Sequence, residues 1–290
     1  MSPSWRTEPL SATPRSTPAP APAPAAVDAL VATLRAAGCV FAEEEAELLL
    51  AAAAEGAGGG LAAMVERRVA GHPLEHVVGW AEFCGLRMAV GAGVFVPRRR
   101  SEFLVREAAA GARAGAVVLD LCCGVGAVGA AVAAELGARG GGGAPVELHA
   151  ADIDPVAVSY AARNVAPYGG RVHLGDLYGP LPARLLGRVD VLVANAPYVP
   201  TGEIALLPPE AREHEPLTTL DGGADGVAVQ RRVAAGALPW LAPGGRLLIE
   251  TSGRQAQWTA GALTTAGFGE VAVVSSEELD ATVVTGTAAS

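Results

Sequence analysis

The residues best suited to chemistry in this sequence stand together after one apolar run. Residues 191–194 form a short valine-rich run typical of a buried strand, and Asn195-Ala196-Pro197-Tyr198 follows it directly. Ligands of open α/β sheets bind beyond the carboxyl ends of the strands. An amide, a small residue, a rigid proline and an aromatic ring at such a place predict a reactive edge.

A second candidate site lies upstream, in a glycine-containing turn between an apolar run and a small-residue helix. Glycine lets the backbone approach a ligand closely, and a helix N-terminus offers free N–H groups. Such turns are also found as ordinary turns, and on this motif alone that alternative stays open. The candidate cofactor-binding residues here are Asp120, Cys122, Cys123, Gly124, Val125 and Gly126.

Acidic residues follow the next two apolar runs. Asp152 is placed to accept both ribose hydroxyls of an adenosine, while Asp154 is expected to cap the helix that follows. Asp176 is expected to accept a hydrogen bond from an adenine amino group, with Leu177 packed on the ring. A simple helix cap and a simple turn are the alternatives. Together the three features predict an adenosine-containing cofactor. NAD fits less well, because the NAD-binding fingerprint has three spaced glycines and its first two positions here would be Cys122 and Gly124.

The elements that position these residues alternate between strand and helix, which predicts an α/β fold with a parallel sheet. The expected helices cover residues 127–136, 155–165, 224–238 and 255–266. A run of consecutive glycines within residues 139–144 predicts a flexible loop. The expected strands cover residues 116–121, 146–151, 171–174, 190–194 and 246–251, with a terminal pair at 270–274 and 282–284.

The first hundred residues have a different character. The Pro/Ala-rich residues 1–26 predict a disordered tail, since each proline opposes a regular helix. Residues 27–79 predict a small helical domain, with Asp28 capping its first helix, acidic residues opening a helix over 42–54, and a third helix over 61–69. Residues 80–100 predict a β-hairpin linker that turns at Gly85. Residues 101–290 are expected to form the catalytic domain. This domain begins with a helix from Ser101 to about Arg113.

Net charge, apolar runs and cysteine spacing indicate which classes of protein this sequence does not fit. A formal net charge of -9 opposes a general basic surface, so we expect no stable binding of nucleic acid. The sequence has no strongly apolar run of about 18 residues, so we expect no membrane span. Its four cysteines show no C-x-x-C spacing, which predicts reduced thiols, no metal site and a cytoplasmic location.

The Asn195-Ala196-Pro197-Tyr198 segment resembles the Asn-Pro-Pro-Tyr motif of class I methyltransferases that modify planar amide or amino nitrogens. Further segments resemble the HemK-like protein N(5)-glutamine methyltransferases, and the likeness extends from about residue 45 to residue 250. These segments are residues 67–79, Phe83, Gly85, residues 94–98, Ser101-Glu102, Glu215-Pro216 and residues 220–226.

This resemblance implies a seven-stranded, Rossmann-like domain that binds S-adenosylmethionine, preceded by a helical domain that docks a protein substrate. It also implies that the acceptor is the glutamine of a Gly-Gly-Gln loop in a class I peptide release factor, with a ribosomal protein for some members. Asn195, Ala196, Pro197 and Tyr198 are then the catalytic residues, and Asn195 also contacts the cofactor.

The chemistry of the acceptor explains these residue types. A primary amide nitrogen is a poor nucleophile with two N–H donors. The Asn195 side-chain oxygen and the Ala196 carbonyl can accept one each, which holds the nitrogen in line with the sulfonium methyl. Such positioning lowers a barrier by several kcal/mol, and by about 7–11 kcal/mol in ideal cases. Pro197 stiffens the loop, and Tyr198 packs on the flat amide.

Three departures from the family pattern predict a divergent paralogue. Ala196 stands in place of the first proline, Cys122 in place of the first loop glycine, and His214 in place of a tyrosine. A polar loop residue without a role is the expectation for His214. Two alternatives stay open: a nucleic-acid adenine-N(6) methyltransferase, whose acceptor amine poses the same lone-pair problem, and a cofactor-binding paralogue without activity.

Overall fold

The computed structural model describes residues 24–139 and 144–289, which form two compact units, residues 24–69 and 70–289. Most of the predicted tail and the predicted loop of consecutive glycines, residues 140–143, lie outside the described residues. No helix within the described ranges is long and apolar enough to cross a membrane.

The first unit contains three helices, α1 (Pro24–Ala36), α2 (Ala42–Ala54) and α3 (Leu61–Val69). Leu34, Leu49 and Met64 supply one fully buried side chain from each helix. As predicted, α2 carries acidic residues in its first turn, where the helix dipole favours them.

The prediction for α1 is wrong in two respects. Asp28 does not cap the helix, because α1 already runs from Pro24 and Asp28 lies within it. Residues 24–26 therefore belong to a helix and not to the tail. The physical reason is that proline is tolerated in the first turn of a helix, where its missing N–H would have no partner.

The second unit opens with α4 (Leu74–Val78), which was not predicted, and then the predicted hairpin of β1 (Trp80–Phe83) and β2 (Leu86–Ala89). Cys84 and Gly85 both have positive φ, 50° and 71°, as a tight two-residue hairpin turn requires. A short 3-10 turn at Arg99–Ser101 leads into α5 (Glu102–Ala110), which ends before the predicted Arg113.

A seven-stranded sheet forms the body of the second unit, with the order β5-β4-β3-β6-β7-β9-β8. The first five strands in that order pair in parallel, and β8 and β9 pair antiparallel. The predicted α/β class with a Rossmann-like sheet is confirmed. The strands are β3 (Val117–Leu121), β4 (Glu147–Asp152), β5 (Arg171–Leu174), β6 (Val189–Ala194), β7 (Leu241–Thr251), β8 (Gly269–Ser276) and β9 (Ala281–Thr287).

The remaining helices connect the strands: α6 (Ala127–Arg139), α7 (Pro155–Val165), α8 (Pro209–His214), α9 (Ala228–Ala237) and α10 (Ala256–Ala266). Every residue of β3 is buried, as expected of a parallel strand covered on both faces. The carboxyl ends of β3 and its neighbours are therefore where the sheet can meet a ligand.

Candidate functional site

A cavity of about 940 Å³ lies beyond the carboxyl ends of β3, β4, β5 and β6. Its size suits a nucleotide-like ligand together with part of a second one. Most of the predicted site residues line it: Asp120, Cys122, Cys123, Gly124, Val125, Asp152, Asp176, Leu177, Asn195, Ala196, Pro197 and Tyr198.

The turn after β3 winds through left-handed backbone at Cys122, Gly124 and Gly126, with φ of 54°, 53° and 77°. A Cβ added at Gly124 would meet nothing within 4 Å, so this glycine keeps open space beside the cavity. Gly126 is not among the lining residues. A Cβ there would lie 3.0 Å from Val165 and 3.2 Å from Ala161, so Gly126 allows α7 to pack closely.

Asp120 is committed to the protein itself. Its Oδ2 accepts a hydrogen bond from the Gly129 backbone N–H at 2.8 Å, which anchors the first turn of α6. Burial raises the pKa of Asp120 to about 7, although the Gly129 bond acts in the opposite direction. Burial likewise raises the pKa of the Cys122 thiol, so this side chain is an uncharged wall of the cavity.

Asp152 braces the glycine turn from the neighbouring strand. Its Oδ2 accepts from Gly124 N at 2.8 Å and its Oδ1 from Asp154 N at 2.9 Å. Each carboxylate oxygen has a second lone pair for a ligand hydroxyl. The cap prediction for Asp154 is confirmed, because Asp154 Oδ1 accepts from Val156 N at 2.7 Å.

The third acidic residue, Asp176, forms an exposed ion pair with Arg232. Leu177 follows in left-handed backbone, with φ of 44°. Because a non-glycine residue rarely adopts this conformation, the surrounding structure must hold the segment against some strain. The cavity therefore has a carboxylate and an apolar side chain next to each other at the end of β5, which suits an adenine ring.

The reactive edge begins where β6 ends. Asn195 Nδ2 donates to Ser101 Oγ at 3.0 Å, across 94 residues of sequence. Among the described residues Asn195 Oδ1 has no hydrogen-bond partner, so it is available to a donor in the cavity. Ala196 is 1% exposed, so its side chain is buried at the base of the reactive edge.

Tyr198 is fixed through its backbone. Gln255 Nε2 donates to Tyr198 O at 2.8 Å and to Asp225 O at 3.1 Å, which ties the motif to the loop before α9. A Cβ at Gly226 would lie 2.5 Å from Tyr198 O, which explains why that loop carries glycine. Burial, and then the charge of Glu250, raise the pKa of Tyr198 to about 12, so its hydroxyl is neutral at physiological pH.

Two sequence segments that carry the resemblance meet across the cavity. The buried Glu215 carboxylate accepts from the Val96 backbone N–H at 3.1 Å and from the Arg98 guanidinium at 2.5 Å. His214 packs against His72, with ring centroids 4.4 Å apart. The sequence predicts no role for His214, and this tilted ring contact gives it a structural one.

Sequence reasoning missed four residues that the fold brings to the reactive edge: Arg100, Ser101, Glu250 and Gln255. The sequence identifies Ser101 only as a helix start and as part of the segments that carry the resemblance, and Glu250 only as part of a strand. The available signal was position, because Glu250 lies near the end of the strand that follows the reactive one. No group of three or more His, Cys, Asp or Glu side chains within residues 24–139 and 144–289 is arranged to hold a metal ion.

Comparison with known proteins gives one consistent family name. No family model matches the chain. A release factor glutamine methyltransferase from Geobacter sulfurreducens is 37% identical over 207 residues, which is 71% of this chain and 69% of that protein. The enzyme of the same name from Mycolicibacterium smegmatis is 37% identical over 77% of this chain and 82% of its own length.

A third relative of that name, from Gloeobacter violaceus, is 41% identical over 67% of each chain. Among solved structures, a methyltransferase from Pyrococcus furiosus is 16% identical, with a TM-score of 0.49 over 71% of this chain and 90% of that one.

Proposed function

The chain belongs to the release factor glutamine methyltransferase family, and on that premise we propose that it methylates a glutamine side-chain amide. The acceptor is the glutamine of the Gly-Gly-Gln loop in a class I peptide release factor. The methyl donor is S-adenosylmethionine, which when bound supplies an activated methyl group on a positively charged sulfur.

One observation carries this proposal: a single cavity is lined both by an adenosine-compatible set and by the Asn195–Tyr198 segment. Gly124, Asp152, Asp176 and Leu177 would hold the nucleoside. The open space beside Gly124 and the free lone pairs of Asp152 fit such a group. The donor and the acceptor therefore have places in the same cavity.

The chain's own residues supply binding and orientation. Asn195 Oδ1 and the Ala196 carbonyl accept the two N–H groups of the substrate amide, which orients its nitrogen. Pro197 and the Gln255 contact hold the segment in place, and the neutral Tyr198 ring provides a flat apolar wall. No strong base is required, because the extra proton is acidic once the nitrogen is alkylated.

We further propose that the unit of residues 24–69 docks the protein substrate. One flexible loop offers little area for selecting a partner, so additional contact is expected to come from a separate surface. In this unit the adjacent Val40 and Phe41 are 81% and 66% exposed, so together they offer apolar area for such a contact.

The proposal is tested by transfer of label from S-adenosylmethionine to a purified release factor, with DNA and RNA offered in parallel. We expect label on the release factor, and a loss of about 10²- to 10³-fold in kcat for Asn195→Ala, as for removal of one preorganised polar contact. Label on nucleic acid would favour the adenine-N(6) alternative. Tight cofactor binding without transfer to any acceptor would favour an inactive paralogue.

A further inference from the structure

Glu250 is a buried acid to which the acceptor chemistry assigns no task. It is 2% exposed, and neither carboxylate oxygen makes a hydrogen bond of normal geometry with a described residue. The nearest cation is Arg100, whose Nε lies 3.7 Å from Glu250 Oε1. Burying a carboxylate in this way opposes folding, so its presence beside a reactive edge calls for an explanation.

Strand pairing brings Glu250 to Asn195. Ala194 of β6 and Ile249 of β7 are partners in the parallel register. Asn195 directly follows Ala194 and Glu250 directly follows Ile249, so the register places the two residues beside each other where β6 ends. The acid is thus a fixed neighbour of the reactive amide.

Ser101 connects the two groups. It is 2% exposed, its Oγ accepts from Asn195 Nδ2 at 3.0 Å, and it directly follows Arg100, the residue that lies beside Glu250. Burial raises the pKa of Glu250, whereas the Ser101 hydroxyl and Arg100 oppose that rise. By opposing that rise, the Ser101 hydroxyl favours the ionised carboxylate, and a hydroxyl does this by turning its one proton toward Glu250. The Ser101 oxygen can then only accept from Asn195.

We propose that Glu250, acting through Ser101, is a positioning residue that determines which way the Asn195 amide faces. With Nδ2 held by Ser101, Oδ1 stands on the opposite side of the amide and accepts an N–H of the substrate. If the Asn195 amide were flipped, its N–H donors would face the N–H donors of the substrate, and no hydrogen bond could form between them. The inference rests on the proposed function, since it concerns the same acceptor.

The test compares Ser101→Ala, Ser101→Thr, Glu250→Gln and the double variant Ser101→Ala/Glu250→Gln in methyl transfer to the release factor. We expect kcat to fall about 10- to 100-fold for Ser101→Ala and about tenfold for Glu250→Gln, because misorientation of a positioned group costs up to about 10²-fold. Ser101→Thr keeps the hydroxyl and should recover kcat to within about threefold of wild type. The double variant should lose no more than Ser101→Ala, because both act through one amide.

The KM for release factor and the affinity for S-adenosylhomocysteine should stay within about twofold of wild type, which distinguishes orientation from a structural role. Glu135→Gln, at an exposed ion pair on α6, is the control and should leave kcat unchanged. Wild-type kcat in Ser101→Ala or Glu250→Gln, or losses that multiply in the double variant, would overturn the proposal.

Three further outcomes are decisive. If Ser101→Ala fails to fold, Glu250→Gln decides alone, and wild-type kcat in that variant contradicts the proposal. If the wild-type enzyme itself does not methylate the release factor, the proposed function fails and the role of Glu250 fails with it. An active wild type with unaffected variants contradicts the role of Glu250 alone.

Discussion

At the scale of single residues, Asp120 shows how a side chain near the cofactor can serve the fold instead. Its buried carboxylate holds the Gly129 N–H, and burial raises its pKa from 3.8 to about 7. Because the folded state binds this proton more tightly than the unfolded state, ionisation of Asp120 reduces stability as pH rises from about 4 to about 7.

Asp120→Asn should therefore stabilise the protein in a pH-dependent way. Asparagine still offers an oxygen to Gly129 N–H but carries no charge. The stability gain should be near zero below pH 4 and grow to at most about 4 kcal/mol above pH 7. Urea unfolding at several pH values measures it, with the exposed Asp28→Asn as control. A gain that is equal at pH 5 and pH 8 would contradict this account.

The sequence predicted the types and the chain order of the candidate site residues, and the fold brings most of them to one cavity. Their roles in binding and catalysis stay predictions. What could not be predicted is how each carboxylate is used, because the partners are distant in sequence. Ser101 reaches Asn195 across 94 residues, and no local pattern indicates such a pair.

At the scale of elements, the two glycines of the turn after β3 have separate tasks. A Cβ at Gly124 enters open space, whereas one at Gly126 crowds α7 at 3.0 Å from Val165. Both have left-handed backbone, so alanine carries a similar cost of about 1–2 kcal/mol at either position.

In Gly124→Ala the added methyl group enters the cavity, so binding of S-adenosylhomocysteine should weaken about tenfold. The loss of stability in this variant should not exceed the backbone cost of about 1–2 kcal/mol. Gly126→Ala should lose about 2–4 kcal/mol of stability, because crowding against α7 adds to the backbone cost. Calorimetric titration and chemical unfolding of both variants measure the two effects. If both variants lost the same affinity for S-adenosylhomocysteine and the same stability, the two glycines would not have separate tasks.

Elements with strong periodicity were predicted well, and those without it were not. β5 and α7 have the predicted bounds, because alternation, capping by Asp154 and an N-terminal proline mark them. The short helices α4 and α8 were missed, since five or six residues are too few to establish a helical period. They depend on packing within the folded unit, which sequence periodicity does not reveal.

At the scale of the whole molecule, the chain forms two compact units, and we have proposed that the first one docks the protein substrate. If residues 24–69 dock the substrate protein, Val40→Ser/Phe41→Ser should raise the KM for release factor at least tenfold. Removing two exposed apolar side chains from an interface commonly has an effect of this size.

A short Gly-Gly-Gln peptide supplies the matched control for this variant, because it needs only the cavity and its KM should not change. Val273→Ser, at a half-exposed apolar position on β8, controls for loss of surface hydrophobicity in general. Steady-state kinetics on both substrates decide the matter. An unchanged KM for the intact release factor would remove the docking role from Val40 and Phe41.

The class of the sheet followed from strand–helix alternation, and the resemblance implied its seven strands. The residues alone do not predict the order β5-β4-β3-β6-β7-β9-β8, because periodicity identifies strands without identifying their partners. The net charge of -9 disfavours binding to the phosphate backbone of a nucleic acid and so favours a protein acceptor.

The most direct test is to locate the methyl group. A release factor incubated with S-adenosylmethionine and the wild-type protein should, by peptide mass spectrometry, gain one methyl group on the side-chain amide of the Gly-Gly-Gln glutamine. The same incubation with Asn195→Ala should leave that glutamine almost unmodified. An unmethylated glutamine after incubation with wild type, in a preparation that a known enzyme of the family does methylate, would contradict the account.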